Sequence, residues 1–383
     1  MTSKLEDLIA ELCPNGVEYK VLGELCNICT GKLNANAKDE DGIYPFFTCD
    51  ANPYKINEYA FDTSAILISG NGSQVGHLNQ YEGKFNAYQR TYVLDNFKLV
   101  IKPFLFHFMD AYLKPYIMVN CKKGSVPYIT LPMLQSFNVP VPPLEVQREI
   151  VRILDSFTLL TAELTAELTA RSKQYEYYRD ALLTFDDNNP LHSLISRYCP
   201  NGVEYKKIGE ICNISVGGDV PKNSMSKQKT EKYSVPIISN GIGENALYGY
   251  TDVPKVKEPG VTVAARGTIG YAEYRDYPFY PIIRLLTAIP KDATAVNTKY
   301  LYCCLQGKQY SSPMGGIPQL TAPELEKVSI PVPPIEVQRQ IVQILDRFDA
   351  LCNDLTKGLP AEIEARRKQY EYYRDQLLTF KRA

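Results

Sequence analysis

The strongest constraint on how this chain can fold is that its 383-residue sequence is written twice. Cys13-Pro14-Asn15-Gly16-Val17-Glu18-Tyr19-Lys20 returns 186 residues later as Cys199-Pro200-Asn201-Gly202-Val203-Glu204-Tyr205-Lys206. Val141-Pro142-Pro143-Leu144-Glu145-Val146-Gln147-Arg148 returns 191 residues later as Val332-Pro333-Pro334-Ile335-Glu336-Val337-Gln338-Arg339. Lys173-Gln174-Tyr175-Glu176-Tyr177-Tyr178-Arg179-Asp180 returns 195 residues later, beginning at Lys368. Solenoid repeats run to about 20–50 residues, so each copy here is a domain-sized unit. Two such units on one chain can present two reading heads.

The length fits two or three domains, and 45% hydrophobic residues allow a core in each half. No apolar run reaches the ~18–20 residues that span a bilayer, and no signal-type apolar stretch follows Met1. The expectation is a soluble cytoplasmic protein with no membrane partner. The net charge is -1, and even the most basic segment, residues 199–333, holds 15 Lys and Arg against 12 Asp and Glu. Any contact with nucleic acid must therefore come from local patches, or from a complex whose other subunits supply charge.

Ten cysteines raise the question of zinc or disulfides. Cys26-Asn27-Ile28-Cys29 has the C-x-x-C spacing, but its repeat partner is Cys212-Asn213-Ile214-Ser215, and the three histidines have no partner spacing. Small buried thiols in a reducing cytosol are expected, with no metal site.

The blocks at 13–143 and 199–333 are rich in Gly, Pro, Tyr and short β-type runs such as Ala65-Ile66-Leu67-Ile68-Ser69 and Gly260-Val261-Thr262-Val263-Ala264. Turn signals such as Ser69-Gly70-Asn71-Gly72 and Ser239-Asn240-Gly241 separate them, giving two mixed α/β globules. Each block ends in a proline cluster, after which a helix should begin. Apolar residues then recur at 3-4 spacing: Val146, Ile150, Ile153, Phe157, Leu160 and Leu164, then Tyr175, Tyr178, Leu182 and Phe185. The second copy runs from Val337 to Phe380 in the same way. Such stripes predict two helices of about 40 residues, packed antiparallel as a coiled coil. A tandem tetrapeptide, Thr161-Ala162-Glu163-Leu164 followed by Thr165-Ala166-Glu167-Leu168, lies in the first helix. In the second, Gly358 and Pro360 should break or kink the helix. Tyr175, Tyr178, Tyr370 and Tyr373 fall on the seam as packing residues, whereas Tyr177 and Tyr372 fall off it and can face a partner protein.

No phosphate-binding loop, dinucleotide fingerprint, metalloprotease helix or nucleophile elbow is present. Asp187-Asn188-Asn189-Pro190 has part of an amino-methyltransferase loop but lacks its second proline and aromatic, and reads as a capping turn. No catalytic residues are assigned. The loops carry donors instead. Asn71, Ser73 and Gln74 sit in one glycine loop, Arg266 and Thr268 in its counterpart, and both suit groove reading, or equally a plain hairpin between core strands. Lys122 and Lys123, beside Gly124, suit a phosphate clamp, although the aligned segment at 313–321 has no such pair. Lys227, Gln228 and Lys229 lie in the densest basic stretch, and Arg90, Arg275 and Arg284 add guanidinium groups that can read guanine or pair with a carboxylate.

In order, the two P-N-G-V-E-Y starts, the two G-x-x-P-x-x-T loops (from Gly124 and Gly315), the V-P-P-x-E-V-Q-R helix openings, the K-Q-Y-E-Y-Y-R-D helix ends and the tandem tetrapeptide resemble the specificity subunit of type I restriction–modification systems. The resemblance covers essentially the whole chain. It implies an α+β protein with a pseudo-two-fold repeat. Target-recognition domains at 13–143 and 199–333 would be joined by helical spacers at 144–198 and 334–383, and residues 1–12 would pack near the distal spacer. Each domain would read half of a split site in double-stranded DNA. The helices, with Thr161, Leu164, Thr165 and Leu168 in the ruler segment, would set the gap and dock two methyltransferase subunits. A restriction subunit would complete the complex. S-adenosylmethionine, ATP and Mg would bind those partners, leaving this chain without a cofactor or an active site of its own. The other reading of the same pattern is a two-headed coiled-coil scaffold that binds only proteins.

Overall fold

The structure is a computed structural model that describes residues 3–121, 127–308, 310, 319–353 and 358–383. It divides into two compact units, Met1–Ala166 with Ala361–Ala383, and Glu167–Pro360. The division falls within the second tandem tetrapeptide, not at the proline clusters. The reason is packing: Val146, Ile150, Ile153 and Leu154, the first turns after the prolines, are buried in the same core as Phe104, Leu105 and Leu134. Val337, Ile341, Val342 and Leu345 are likewise buried with Tyr300, Leu301 and Leu325. The start of each helical stripe is thus domain core rather than coiled-coil seam.

In the first unit one six-stranded sheet carries the fold, in the order Asn27–Thr30, Thr91–Asp95, Phe61–Ser69, Leu78–Ala87, Tyr44–Phe47, Tyr54–Ile56. Leu78–Ala87 is antiparallel to Phe61–Ser69 along one stretch and parallel to Tyr44–Phe47 at its end, which makes the sheet continuous. The helix Lys102–Asn120 packs against it through Phe104, Leu105, Met109 and Leu113.

The second unit has the same plan in two pieces, a sheet of Cys212–Val216, Leu286–Pro290, Gly260–Val263 and Ala272–Arg275 and a sheet of Met225–Ser226, Leu247–Thr251, Val235–Ile238 and Tyr280–Pro281. Here the counterpart of the long strand is interrupted between Arg275 and Tyr280. Pro278 lies in that gap, and a proline cannot donate to a strand ladder.

The repeated motifs close each unit on itself. Tyr19–Val21 pairs with Asn138–Pro140, and Tyr205–Lys207 with Ser329–Pro331, both antiparallel. Val141 N–H donates to Glu18 O and Val332 N–H to Glu204 O, each at 2.8 Å. The Cys-Pro-Asn-Gly openings are turns closed by Gly16 N–H to Cys13 O and Gly202 N–H to Cys199 O, with both glycines at positive φ. In the first unit residues 381–383 also pair beside Val17, and Leu5 of the helix Ser3–Leu12 shares a core with Leu377 and Leu378.

The first stripe forms one unbroken α-helix, Leu144–Leu183, of 40 residues. Its end is capped by Asn189, whose buried amide donates to the carbonyls of Ala181, Leu182 and Thr184 at 2.7–3.1 Å. The Asp187-Asn188-Asn189-Pro190 segment is therefore a capping turn. The second stripe falls in two helices, Ile335–Asn353 and Leu359–Leu377, with Gly358 a bend before the second and Pro360 in its first turn. Phe185 and Phe380 lie just beyond their helices. Tyr175 is buried, Phe157 stacks on Tyr373 within the first unit, and Tyr178 stacks on Phe348 within the second. Leu355 lies outside the described residues. Among the described residues no helix is long and apolar enough to cross a membrane.

Candidate nucleic-acid interface

At one end of the first unit's sheet, several loops are tied into one surface by backbone bonds. Gly70 N–H donates to Arg90 O at 2.9 Å, and Ile129 N–H donates to Gly70 O at 2.8 Å. Asn71 bridges Tyr128, and the Tyr92 hydroxyl donates to Ile129 O at 3.0 Å. A side chain at position 70 would meet Arg90 O at 2.3 Å, so only glycine lets these strands approach. This arrangement presents Asn71, half-buried, with Ser73, Gln74 and Arg90, all exposed. Lys122, Lys123 and Gly124 lie outside the described residues, as do Gly315 and Pro318.

The second unit repeats the wiring. Leu320 N–H donates to Ala265 O at 2.9 Å, as Ile129 does to Gly70. The hub is Asn240: its side-chain oxygen accepts Ala265 N–H at 2.8 Å, its amide donates to Ile283 O at 2.7 Å, and its carbonyl accepts the Thr268 hydroxyl at 2.8 Å. Thr268 therefore positions the loop, its donor already committed. Arg266 is exposed and donates to Gln319 Oε1 at 2.8 and 3.1 Å. Lys227 donates to Tyr248 O at 2.9 Å and lies 3.6 Å from that ring's centroid. Ser226 pairs with Tyr250 and Leu247 with Ile238, so exposed Lys227, Gln228 and Lys229 run toward the sheet end where Asn240 sits.

Arg275 does not belong with this surface. It is 4% exposed, pairs with Glu273 at 2.9 Å, and donates to Thr262 Oγ1 and the Tyr277 hydroxyl. It also pairs with Gly260, at the strand end away from the 264–270 loop. Its charge is neutralised inside the fold, and groove reading needs an exposed guanidinium.

Sequence reasoning missed the residues that fasten these surfaces to the helices. Gln147 and Gln338 are fully buried. Gln147 accepts Ile101 N–H at 2.9 Å and donates to Leu99 O and Pro142 O at 2.8 and 2.7 Å. Gln338 does the same with Asn297 N–H, Ala295 O and Pro333 O, at 2.8, 2.8 and 2.7 Å. Each amide satisfies three backbone groups at a proline-broken corner where no ladder can. The signal was present: a polar residue in an otherwise apolar motif, repeated in both copies. The threonines of the repeated loops are helix caps, Thr130 accepting Met133 N–H and Thr321 forming a capping box with Glu324.

Of the C-x-x-C pair, Cys26 is buried as a packing group and Cys29 is exposed. Cys26 and Cys29 donate to the backbone carbonyls of Leu22 and Val93, and burial pushes the Cys26 thiol up to about 12. On the helices, Thr161 and Thr165 bond back to the carbonyls four residues earlier, while Leu164 and Leu168 are half-buried. Tyr177 and Tyr372 are 70% and 60% exposed, each edge-on to the next tyrosine.

A family model described as the type I restriction modification DNA specificity domain matches this chain twice, at residues 14–171 and 200–365. The chain belongs to that family. It is 32% identical over 368 residues to the type I specificity subunit S.MpnORF507P of Mycoplasma pneumoniae, covering 94% of this chain and 96% of that one. It is also 36% identical over 267 residues to the EcoR124I/EcoR124II specificity subunit of Escherichia coli, covering 63% of this chain and 61% of the relative. Its fold is that of a crystallised type I S subunit from M. genitalium, with a TM-score of 0.61 at 15% identity over 95% of this chain and 97% of the other.

Proposed function

We propose that this specificity-family chain is the DNA-reading subunit of a type I restriction–modification complex, each unit recognising one half of a bipartite site in double-stranded DNA. The observation that carries the reading is the paired loop surface. Gly70 with Ile129, and Ala265 with Leu320, are held by the same bond, yet the side chains displayed differ, as two half-sites of different sequence require. The loops supply Asn71, Ser73, Gln74 and Arg90 in one unit, and Arg266, Lys227, Gln228 and Lys229 in the other. Lys122 and Lys123 join the first set by sequence.

The chain contributes recognition and spacing, without an active site or cofactor. Two methyltransferase subunits dock on the helices, with Tyr177 and Tyr372 as equivalent exposed anchors. They supply S-adenosylmethionine chemistry on adenine, and a restriction subunit supplies ATP- and Mg-dependent cleavage. The segment bearing Thr161, Leu164, Thr165 and Leu168 acts as the ruler, because four helical residues add ~6 Å, nearly two base-pair steps.

Methylome sequencing of a host expressing this chain with a type I methyltransferase subunit tests the reading. A split adenine-methylated motif that vanishes when the chain is deleted is expected. A protein-only scaffold leaves no motif and gives no salt-sensitive mobility shift on DNA.

A further inference from the structure

The second unit contains a turn whose backbone conformation its sequence disfavours. Residues 282–285 are closed by Leu285 N–H to Ile282 O at 3.1 Å, and the two central residues, Ile283 and Arg284, have φ of 53° and 58°. Two successive left-handed residues make a type I′ turn, for which Asn-Gly is the favoured sequence. A β-branched residue such as isoleucine is a true outlier there, because its Cβ substituents crowd the backbone. Four bonds hold the conformation in place: the closing bond, Ile283 N–H to Gly218 O at 2.9 Å, Arg284 N–H to Gly217 O at 3.1 Å, and the Asn240 amide to Ile283 O at 2.7 Å. Strain kept this way in an exposed loop is a mark of function rather than folding.

The first unit shows what the turn corresponds to. Tyr88 to Thr91 is closed by the same bond at 2.8 Å, and Gln89 N–H donates to Leu33 O as Ile283 N–H does to Gly218 O. The bridges Leu33 to Tyr88 and Gly218 to Ile282 also match. Arg284 is therefore the positional counterpart of Arg90. In the first unit neither Gln89 nor Arg90 is left-handed. In the second, the turn leaves Ile283 47% exposed and Arg284 exposed, and among the described residues the Arg284 guanidinium has no ion pair or hydrogen bond. The same Asn240 ties this turn to the loop that carries Arg266, and the Lys255 ammonium lies beside Gly218.

We propose that the Ile283–Arg284 turn is a base-reading element of the second unit, beside the loops that carry Arg266 and Lys227. Arg284 makes a bidentate contact to the O6 and N7 of a guanine, and Ile283 packs on the 5-methyl of a neighbouring thymine. Arginine and an exposed aliphatic group are the side chains that these two major-groove features select. The proposal rests on the reading of the chain as a DNA-recognition subunit.

The test replaces the pair by the residues the turn prefers, Ile283→Asn with Arg284→Gly, in the full chain expressed with its methyltransferase subunit. The variant should fold with an unchanged or higher melting temperature, which separates recognition from folding. Methylome sequencing should show at least a tenfold loss of methylation at the native motif, with one half-site relaxed and the other kept. Arg284→Lys, which retains charge but not the bidentate fork, should relax the guanine position alone. A double variant with an unchanged motif overturns the assignment while the DNA-recognition reading stands, and an Arg284→Lys variant that marks only the native motif, with the guanine position as strictly kept as in the wild type, overturns the guanine contact. A wild-type complex that marks no split motif overturns both.

Discussion

The two units agree where they meet the helices and differ where they face outward. Gln147 and Gln338 make the same three bonds, the same two-strand pairing closes each block, and Thr130 and Thr321 cap the same short helix. By contrast, one sheet is continuous and the other interrupted. The matched ladder position holds Tyr81, packed on Phe47 and Phe85, in one unit and Arg275, paired with Glu273, in the other. Among the repeated residues, Gln147 and Gln338 have buried polar groups to satisfy, and such groups tolerate little change. The divergent residues surround loops whose side chains must differ if two half-sites are to differ.

The largest effect is expected where the copies differ most along the helices. Deleting Thr165, Ala166, Glu167 and Leu168 removes ~6 Å and about one turn of helix. Methylome sequencing should show a shortened gap or lost activity with both half-site sequences intact. A changed half-site would break the division between reading units and spacer.

Gln147→Leu and Gln338→Leu should each cost about 2–4 kcal/mol, because three backbone groups lose their partner inside the fold. Chemical denaturation with m-value analysis checks this. Similar costs would uphold the equivalence of the two clamps, and a near-neutral result at one site would end it. Arg275→Ala should cost about 2–3 kcal/mol by stranding Glu273 and removing two further hydrogen bonds. It should leave the methylated motif unaltered in any complex that still folds.

The smallest effect is confined to the first unit. Arg152, aided by Lys4, holds the carboxyl of buried Glu149 down to about 2, whereas the second copy has Gln340 at the matching place. A depressed folded-state pKa gives stability that is present above the unfolded value and lost as pH falls from about 4.5 toward 2. Both cations are more than half exposed, so screening limits the contribution to about 1–2 kcal/mol. Denaturation at pH 7 and pH 3 should show Glu149→Gln with the shallower loss on acidification; an equal loss would remove the pair from the account.

Much of this architecture was legible in the sequence because it was stated twice. The proline clusters marked the helix starts, and Gly358 with Pro360 marked the break. The 3-4 spacing picked out the seam tyrosines and left Tyr177 and Tyr372 exposed. What stayed hidden depends on neighbours distant in sequence. The burial of Arg275 follows from its pairing with Gly260 across a strand ladder, and the clamp role of Gln147 from carbonyls at Leu99 and Pro142. The Ile283–Arg284 turn was hidden for the opposite reason. Its residues argue against the conformation they adopt, so no turn signal announces it.

The central claim, that each unit reads its own half-site on a shared frame, is tested most directly by exchanging one unit's block. Residues 199–333 would be replaced by a second copy of residues 13–143, and the methylome read with the methyltransferase subunit present. The prediction is a split motif in which the first unit's half-site occupies both positions. If an assembled complex instead marks the original motif, or one matching neither half-site, the units do not read independently and the account is wrong.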